Sequence, residues 1–221
     1  MIYIKNGVAY EDYSDKNYFF VCQCCSTSHY FALTFWDYEQ DQDDNGNPKI
    51  PSSAYIVVPE KHYLSFWGKC VSVVKYFFGK NIEYAGTMLR HCDIPKINGL
   101  LGKYSDYLRE TAASLNINIP FETVPLYENE LLLIDPETSR TIVINREKMF
   151  GEDQPWIVNI AVRLPKVGFF KKFKFAWEYL KYDGTDCDVE LTLDKINAIT
   201  AFLSNSMATT LVVKQNRFDG F

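Results

Sequence analysis

Phe66-Trp67-Gly68-Lys69-Cys70-Val71-Ser72-Val73-Val74-Lys75-Tyr76-Phe77-Phe78-Gly79 is the stretch on which the fold turns, because a diverged copy of it begins at Phe169. Phe66, Cys70, Val73 and Phe77 recur at spacings of four, three and four, the period of one helix face, and Gly79 is a natural stop. Phe169, Phe173, Ala176 and Leu180 repeat that spacing. At a constant offset of 103, Phe66-Trp67 stands opposite Phe169-Phe170, Lys69 opposite Lys172, Val74 opposite Trp177 and Tyr76 opposite Tyr179. Each helix is expected to bury this stripe and to leave its lysines in water.

The flanks repeat as well. Aromatic and β-branched runs from Tyr18 to Cys24 and from Tyr30 to Tyr38 read as a hairpin, and Ala54 to Val58 as a third strand stopped by Pro59. After the helix, Glu83 to Leu89 reads as a strand. Asp93 then reads as the N-cap of a helix that continues through Ile97, Leu101 and Leu108 to about Asn116. The second pass has strands at Glu130 to Ile134, Arg140 to Asn145 and Trp156 to Leu164, then the copied helix, a strand at Asp188 to Leu193, and a helix capped by Asp194. Lys96-Ile97-Asn98 and Lys195-Ile196-Asn197 mark matching helix starts. The fold expected is α+β, with two diverged tandem β-β-β-α-β-α units at 1–117 and 118–221 related by a pseudo-twofold. Antiparallel sheets with packed helices are expected, and the halves should share a core or pack face to face, since each has too few strands to stand alone. Met1 to Lys5 adds an edge strand.

The 221 residues carry a formal net charge of −5, which disfavours attraction of the whole molecule to nucleic acid but leaves room for a local basic patch. No apolar run approaches the ~20 residues of a membrane span, and Met1-Ile2-Tyr3-Ile4-Lys5 lacks the charged head and apolar stretch of a signal peptide. The cysteines follow no disulfide framework. The expected location is the cytoplasm, without a membrane partner.

Three features carry possible chemistry. Cys22, Cys25 and His29 hold zinc-ligand types at knuckle-like spacing, but no second ligand pair follows, and the copy at an offset of 111 has Asp135-Pro136 and Arg140 in place of Cys24-Cys25 and His29. Structural thiols are expected, with zinc as the alternative. Asp41-x-Asp43-x-Asn45-Gly46 opens like a calcium loop but reaches Ser52 where a bidentate Glu belongs, so it reads as a solvated acidic loop. Lys166, Lys171, Lys172 and Lys174 interleave with Phe169, Phe170, Phe173 and Phe175, a mixture that suits single-stranded nucleic acid. Helical spacing puts Phe169 and Phe173 on the buried side with Ala176, leaving the lysines as a wet face. Phosphate-binding glycine loops, nucleophile elbows and metalloprotease helices have no counterpart here, so no enzyme and no cofactor are expected.

Cys22-x-Cys24 and His29 in a hairpin, followed by Phe66-Trp67 opening a helix that closes on Lys75-Tyr76-Phe77-Phe78-Gly79, resemble short bacteriophage-encoded proteins of uncharacterised function over residues 18–89. The resemblance implies a viral origin and a single-unit relative that this chain has doubled. An aromatic content of 16% is high and reads as an aromatic-rich core with some rings left over as contact surface. The function expected is therefore a non-enzymatic, phage-encoded binding or regulatory protein acting on a protein partner, host or viral, in the bacterial cytoplasm. Single-stranded nucleic-acid binding is the second expectation and a zinc module the third.

Overall fold

The computed structural model describes residues 2–5, 8–11, 16–22, 30–35, 54–59, 65–116, 118–119, 121–135, 139–148, 156–181 and 186–218. A hairpin of β1 (Ile2–Lys5) and β2 (Val8–Glu11) leads into β3 (Lys16–Val21), β4 (Tyr30–Phe35), β5 (Ala54–Pro59), α1 (Phe66–Phe77), β6 (Glu83–Met88) and α2 (Ile94–Leu115). The same order of elements follows in β7 (Glu130–Ile134), β8 (Thr141–Lys148), β9 (Trp156–Arg163), α3 (Phe169–Lys181), β10 (Asp186–Glu190) and α4 (Leu193–Phe218). The class is α+β, and all the described strand pairs are antiparallel.

Neither half completes its own sheet. The first sheet runs β1-β2-β3-β4-β5-β10 and the second β6-β9-β8-β7. β10 therefore leaves its half to pair with β5, with Val189 opposite Ile56, and β6 crosses to β9, with Tyr84 opposite Val162. The two sheets face a common core. Alternate residues of β4, β5, β8 and β9 enter it, such as Phe31 and Leu33, Ile56 and Val58, Ile142 and Ile144, and Ile160 and Val162. Ile94, Ile97 and Leu101 of α2, with Ile196, Ile199 and Phe202 of α4, complete it at helical period. α2 and α4 lie side by side, and Asn98 Nδ2 donates to Ser204 Oγ at 3.2 Å.

Both helix starts differ chemically from expectation. Asp93 sits at the N-cap position of α2, yet its carboxylate makes no capping bond. It is fully buried and instead accepts Arg90 Nε at 2.7 Å, with Lys96 Nζ at 3.5 Å. Two cations outcompete the first-turn amides for a buried anion, because charge-assisted bonds are the stronger ones. In α4 the helix opens two residues earlier, and Thr192 Oγ1 accepts the Lys195 N–H at 3.4 Å. Asp194 lies inside the first turn, where its carboxylate takes the Glu122 N–H at 2.7 Å. Lys195, buried, meets Glu122 Oε1 at 3.1 Å, so the segment entering the second half is tied to the last helix.

A polar clamp crosses the second sheet. Arg163 of β9 is buried and bonds Glu83 of β6 through Nε at 3.0 Å and Glu130 of β7 through a terminal nitrogen at 2.8 Å, with further contacts to both acids. The hydrogen bond and charge of Arg163 hold the Glu130 carboxyl below the usual carboxylate range. The clamp spans the join between the halves, since Glu83 comes from the first and the other two residues from the second. Among the described residues no helix is long and apolar enough to cross a membrane.

Candidate docking face on the first and third helices

α1 and α3 form a pair of their own, outside the main core. The last turn of α1 lies on the first turns of α3, with Phe77 and Phe173 rings 4.8 Å apart and Phe77 and Phe169 5.8 Å apart. Toward its other end α3 meets the middle of α1, where Tyr179 lies close to Ser72, so the helices run antiparallel. A small cluster of Tyr76, Ile82, Leu164, Ala176 and Tyr179 seats the pair on the ends of β6 and β9. Tyr76 Oη donates to the Pro165 carbonyl at 2.6 Å, and the Tyr179 ring stands edge-on to Tyr84 at 5.2 Å. Burial pushes both phenols up from their ordinary values.

The buried side of each helix is narrow. In α1 only Lys69 and Tyr76 are buried, and in α3 only Ala176 and Tyr179. The stripe expected to be buried is covered only in part: Ala176 is buried and Val73 and Phe77 pack against the small cluster, but Phe66, Phe169 and Phe173 are each more than half exposed. A second apolar stripe explains the misreading. Trp67, Val71, Val74 and Phe78 also recur at four, three and four, and at 3.6 residues per turn they point away from Lys69 and Tyr76. All four are exposed, Trp67 at 77% and Phe78 at 84%. Period alone marks both stripes as apolar and does not say which one the fold covers. In α3 the equivalent outward positions are Phe170, Lys174, Trp177 and Lys181, with Phe170 at 88% exposure.

Within α1 and α3 themselves six rings, those of Phe66, Trp67, Phe169, Phe170, Phe173 and Trp177, are exposed by more than half. At ~150–250 Å² per aromatic side chain, they leave roughly 800 Å² in water. The largest apolar patch on a typical monomer is about 300–600 Å², and the summed ring area on this helix pair is larger than that. It also matches the ~800 Å² that each partner contributes to a standard protein interface. A recess of about 390 Å³ opens at the start of α3, lined by Val167, Gly168, Phe169, Phe170 and Lys171.

The charge is as uneven as the polarity. Residues 65–80 and 166–181 hold eight lysines and one glutamate, a net of +7, which leaves −12 on the rest of a chain whose total is −5. Of the four lysines singled out by sequence, Lys166, Lys171 and Lys174 are exposed. Lys172 is not part of that surface. Its Nζ donates to the Tyr76 carbonyl at 3.0 Å and reaches the Phe77 carbonyl at 3.5 Å, lying 5.1 Å from the Tyr76 ring centre. The Gly79 N–H also bonds the Tyr76 carbonyl at 3.0 Å, so the cation adds a charge-assisted bond at the C-terminal end of α1 and complements its dipole. Sequence reasoning missed Trp67, Val71, Val74, Phe78, Trp177 and Lys181; an apolar stripe on a second face of α1 was the available signal.

The thiol cluster is only partly placed. Cys22, at the end of β3, is buried, whereas Cys25, His29 and the acidic loop lie outside the described residues. Among the described residues no group of three metal-ligating side chains comes together. Comparison with family models, with curated proteins and with solved structures returns no match to this chain.

Proposed function

We propose that this chain is a non-enzymatic binding protein that docks a protein partner on the outward face of α1 and α3. The observation carrying the reading is the roughly 800 Å² of exposed aromatic surface on two helices whose buried sides are already satisfied. Folding does not require Trp67, Val71, Val74 and Phe78 to be apolar, since all four face water. Aromatic side chains are also what interface centres are enriched in. A phage origin and action in a bacterial cytoplasm belong to the same reading, supported by the resemblance of residues 18–89. Descent of both halves from one unit is supported by the constant offset of 103 across the two helices.

The test replaces Val71 with the photo-crosslinking residue p-benzoylphenylalanine in the full chain and irradiates bacterial cells expressing it. A discrete adduct with one protein is expected, lost when Trp67→Ser and Val74→Ser are added. No protein adduct, or one that persists in that variant, removes the proposal.

A second reading, single-stranded nucleic-acid binding, draws on the outward order Phe170, Lys174, Trp177, Lys181, in which rings alternate with cations. It accounts for α3 but not for the outward stripe of α1, which has no cation between Trp67 and Phe78. A gel shift with oligothymidine distinguishes the two. Salt-sensitive binding that disappears on reversing Lys166, Lys171 and Lys174 would establish the nucleic-acid reading.

A further inference from the structure

Resting on the docking reading above, we infer that the partner is an acidic amphipathic helix of about three turns, lying along α1 and α3 with its apolar side on α1 and its carboxylates toward α3. Trp67 to Phe78 spans eleven residues, about 16 Å at 1.5 Å per residue, as a straight ridge with side chains at helical intervals. The antiparallel α3 supplies a second ridge of equal length from Phe170 to Lys181. Two packed helices lie ~8–10 Å apart, and the groove between their ridges is the width that a third helix fills.

Charge narrows the occupant. The α1 ridge is wholly apolar, whereas the α3 ridge places Lys174 and Lys181 in line with Phe170 and Trp177, and Lys171 stands exposed at its edge. A second copy of this chain would press the exposed lysines of one face, Lys171, Lys174 and Lys181, against the same lysines of the other, and like charges pressed together suppress a partner rather than recruit one. A lipid surface favours cations on the flanks of an apolar face, where they reach headgroups, rather than in line with the rings that insert. Acids at three- and four-residue intervals on one flank of a helix meet Lys171, Lys174 and Lys181 in register. The roughly 800 Å² of exposed ring surface is enough for a standard interface without help from elsewhere.

The intact protein is titrated into a fluorescein-labelled 18-residue peptide with leucines at four-three-four spacing and glutamates along one flank. Parallel titrations use the peptide with lysine for glutamate, the peptide with serine for leucine, a 20-mer of oligothymidine, and phosphatidylglycerol–phosphatidylethanolamine vesicles. Saturable binding of the acidic peptide alone is expected. It should weaken at least tenfold in Lys171→Glu/Lys174→Glu/Lys181→Glu and in Trp67→Ser/Val74→Ser, with urea unfolding used to confirm that each variant is folded. Should charge reversal unfold the chain, Lys171→Gln/Lys174→Gln/Lys181→Gln must show the same direction. Equal binding of the lysine peptide, or binding of oligothymidine or vesicles in place of the acidic peptide, overturns the inference. A protein adduct at Val71 without binding of the acidic peptide sinks this inference and leaves the docking reading standing; no adduct sinks both.

Discussion

Phe170→Ala and Tyr179→Ala, two ring deletions nine residues apart on α3, should differ about eightfold in their cost to stability. Phe170 is 88% exposed, so of roughly 200 Å² of side chain only about 25 Å² is covered. At ~25 cal/mol per Å² its loss amounts to about 0.6 kcal/mol. Tyr179 is 3% exposed, which puts close to 200 Å² at stake and a loss of about 5 kcal/mol, near the upper end of aromatic deletions in cores. Urea unfolding reads both. With an m-value of ~3 kcal/mol/M, the midpoint should fall by about 0.2 M for Phe170→Ala and about 1.6 M for Tyr179→Ala. The first substitution should nonetheless abolish partner capture, a dissociation of stability from binding that a core residue cannot show. If Phe170→Ala lowers the midpoint as far as Tyr179→Ala, the outward face is packed in the folded chain and the docking surface does not exist.

Three further outcomes follow from the same geometry. Lys172→Met removes the donor from the Tyr76 and Phe77 carbonyls and should cost about 1–2 kcal/mol. Faster amide exchange at Phe78 to Lys80 would locate the loss, and unchanged stability would mean the lysine caps nothing. Arg163→Met strands Glu83 and Glu130; breaking a buried ion pair costs ~3–5 kcal/mol, and the partial exposure of both acids discounts this to about 2–3 kcal/mol. Adding Glu83→Gln and Glu130→Gln should recover part of it, and a drop in Tm under ~2 °C would contradict the clamp. Because the folded-state pKa of Glu130 is depressed, its contribution is complete above its unfolded pKa near 4.3 and is lost as pH falls through the folded value. Glu130→Gln should therefore flatten the acid limb of the stability curve below about pH 4.5 and leave its slope above pH 6 unchanged. A steeper acid limb would refute the assignment.

Element type and order were readable wherever a period was strong. Glu130–Ile134 matches its expected bounds, and the helices at Phe66 and Ile94 begin within two residues of theirs. β2 (Val8–Glu11) was missed, being four residues among charges and tyrosines with no clear alternation. The exchange of β6 and β10 was not readable at all, because side-chain alternation identifies a strand but says nothing about which edge it joins. The same limit produced the error at Phe169 and Phe173. Apolar spacing shows that a face avoids water, and only the positions of Tyr76 and Tyr179 over Leu164 and Ile82 reveal which face the chain covers itself. Lys172 misled for a different reason: a lysine in a basic run looks solvated until a neighbouring helix end is found beneath it.

The crossing of β6 and β10 sets an order on synthesis. A ribosome that has just released Glu83–Met88 must add roughly 75 residues before Trp156–Arg163 exists to pair with it, and Ala54–Pro59 waits longer still for Asp186–Glu190. At ~5–20 residues per second, the first interval is about 4–15 s, during which the growing chain carries open strand edges able to stick to any extended neighbour. Nascent fragments ending near residue 117 should be the species that chaperones hold. Cutting the chain there would yield two pieces that each lack a strand and must find one another to fold.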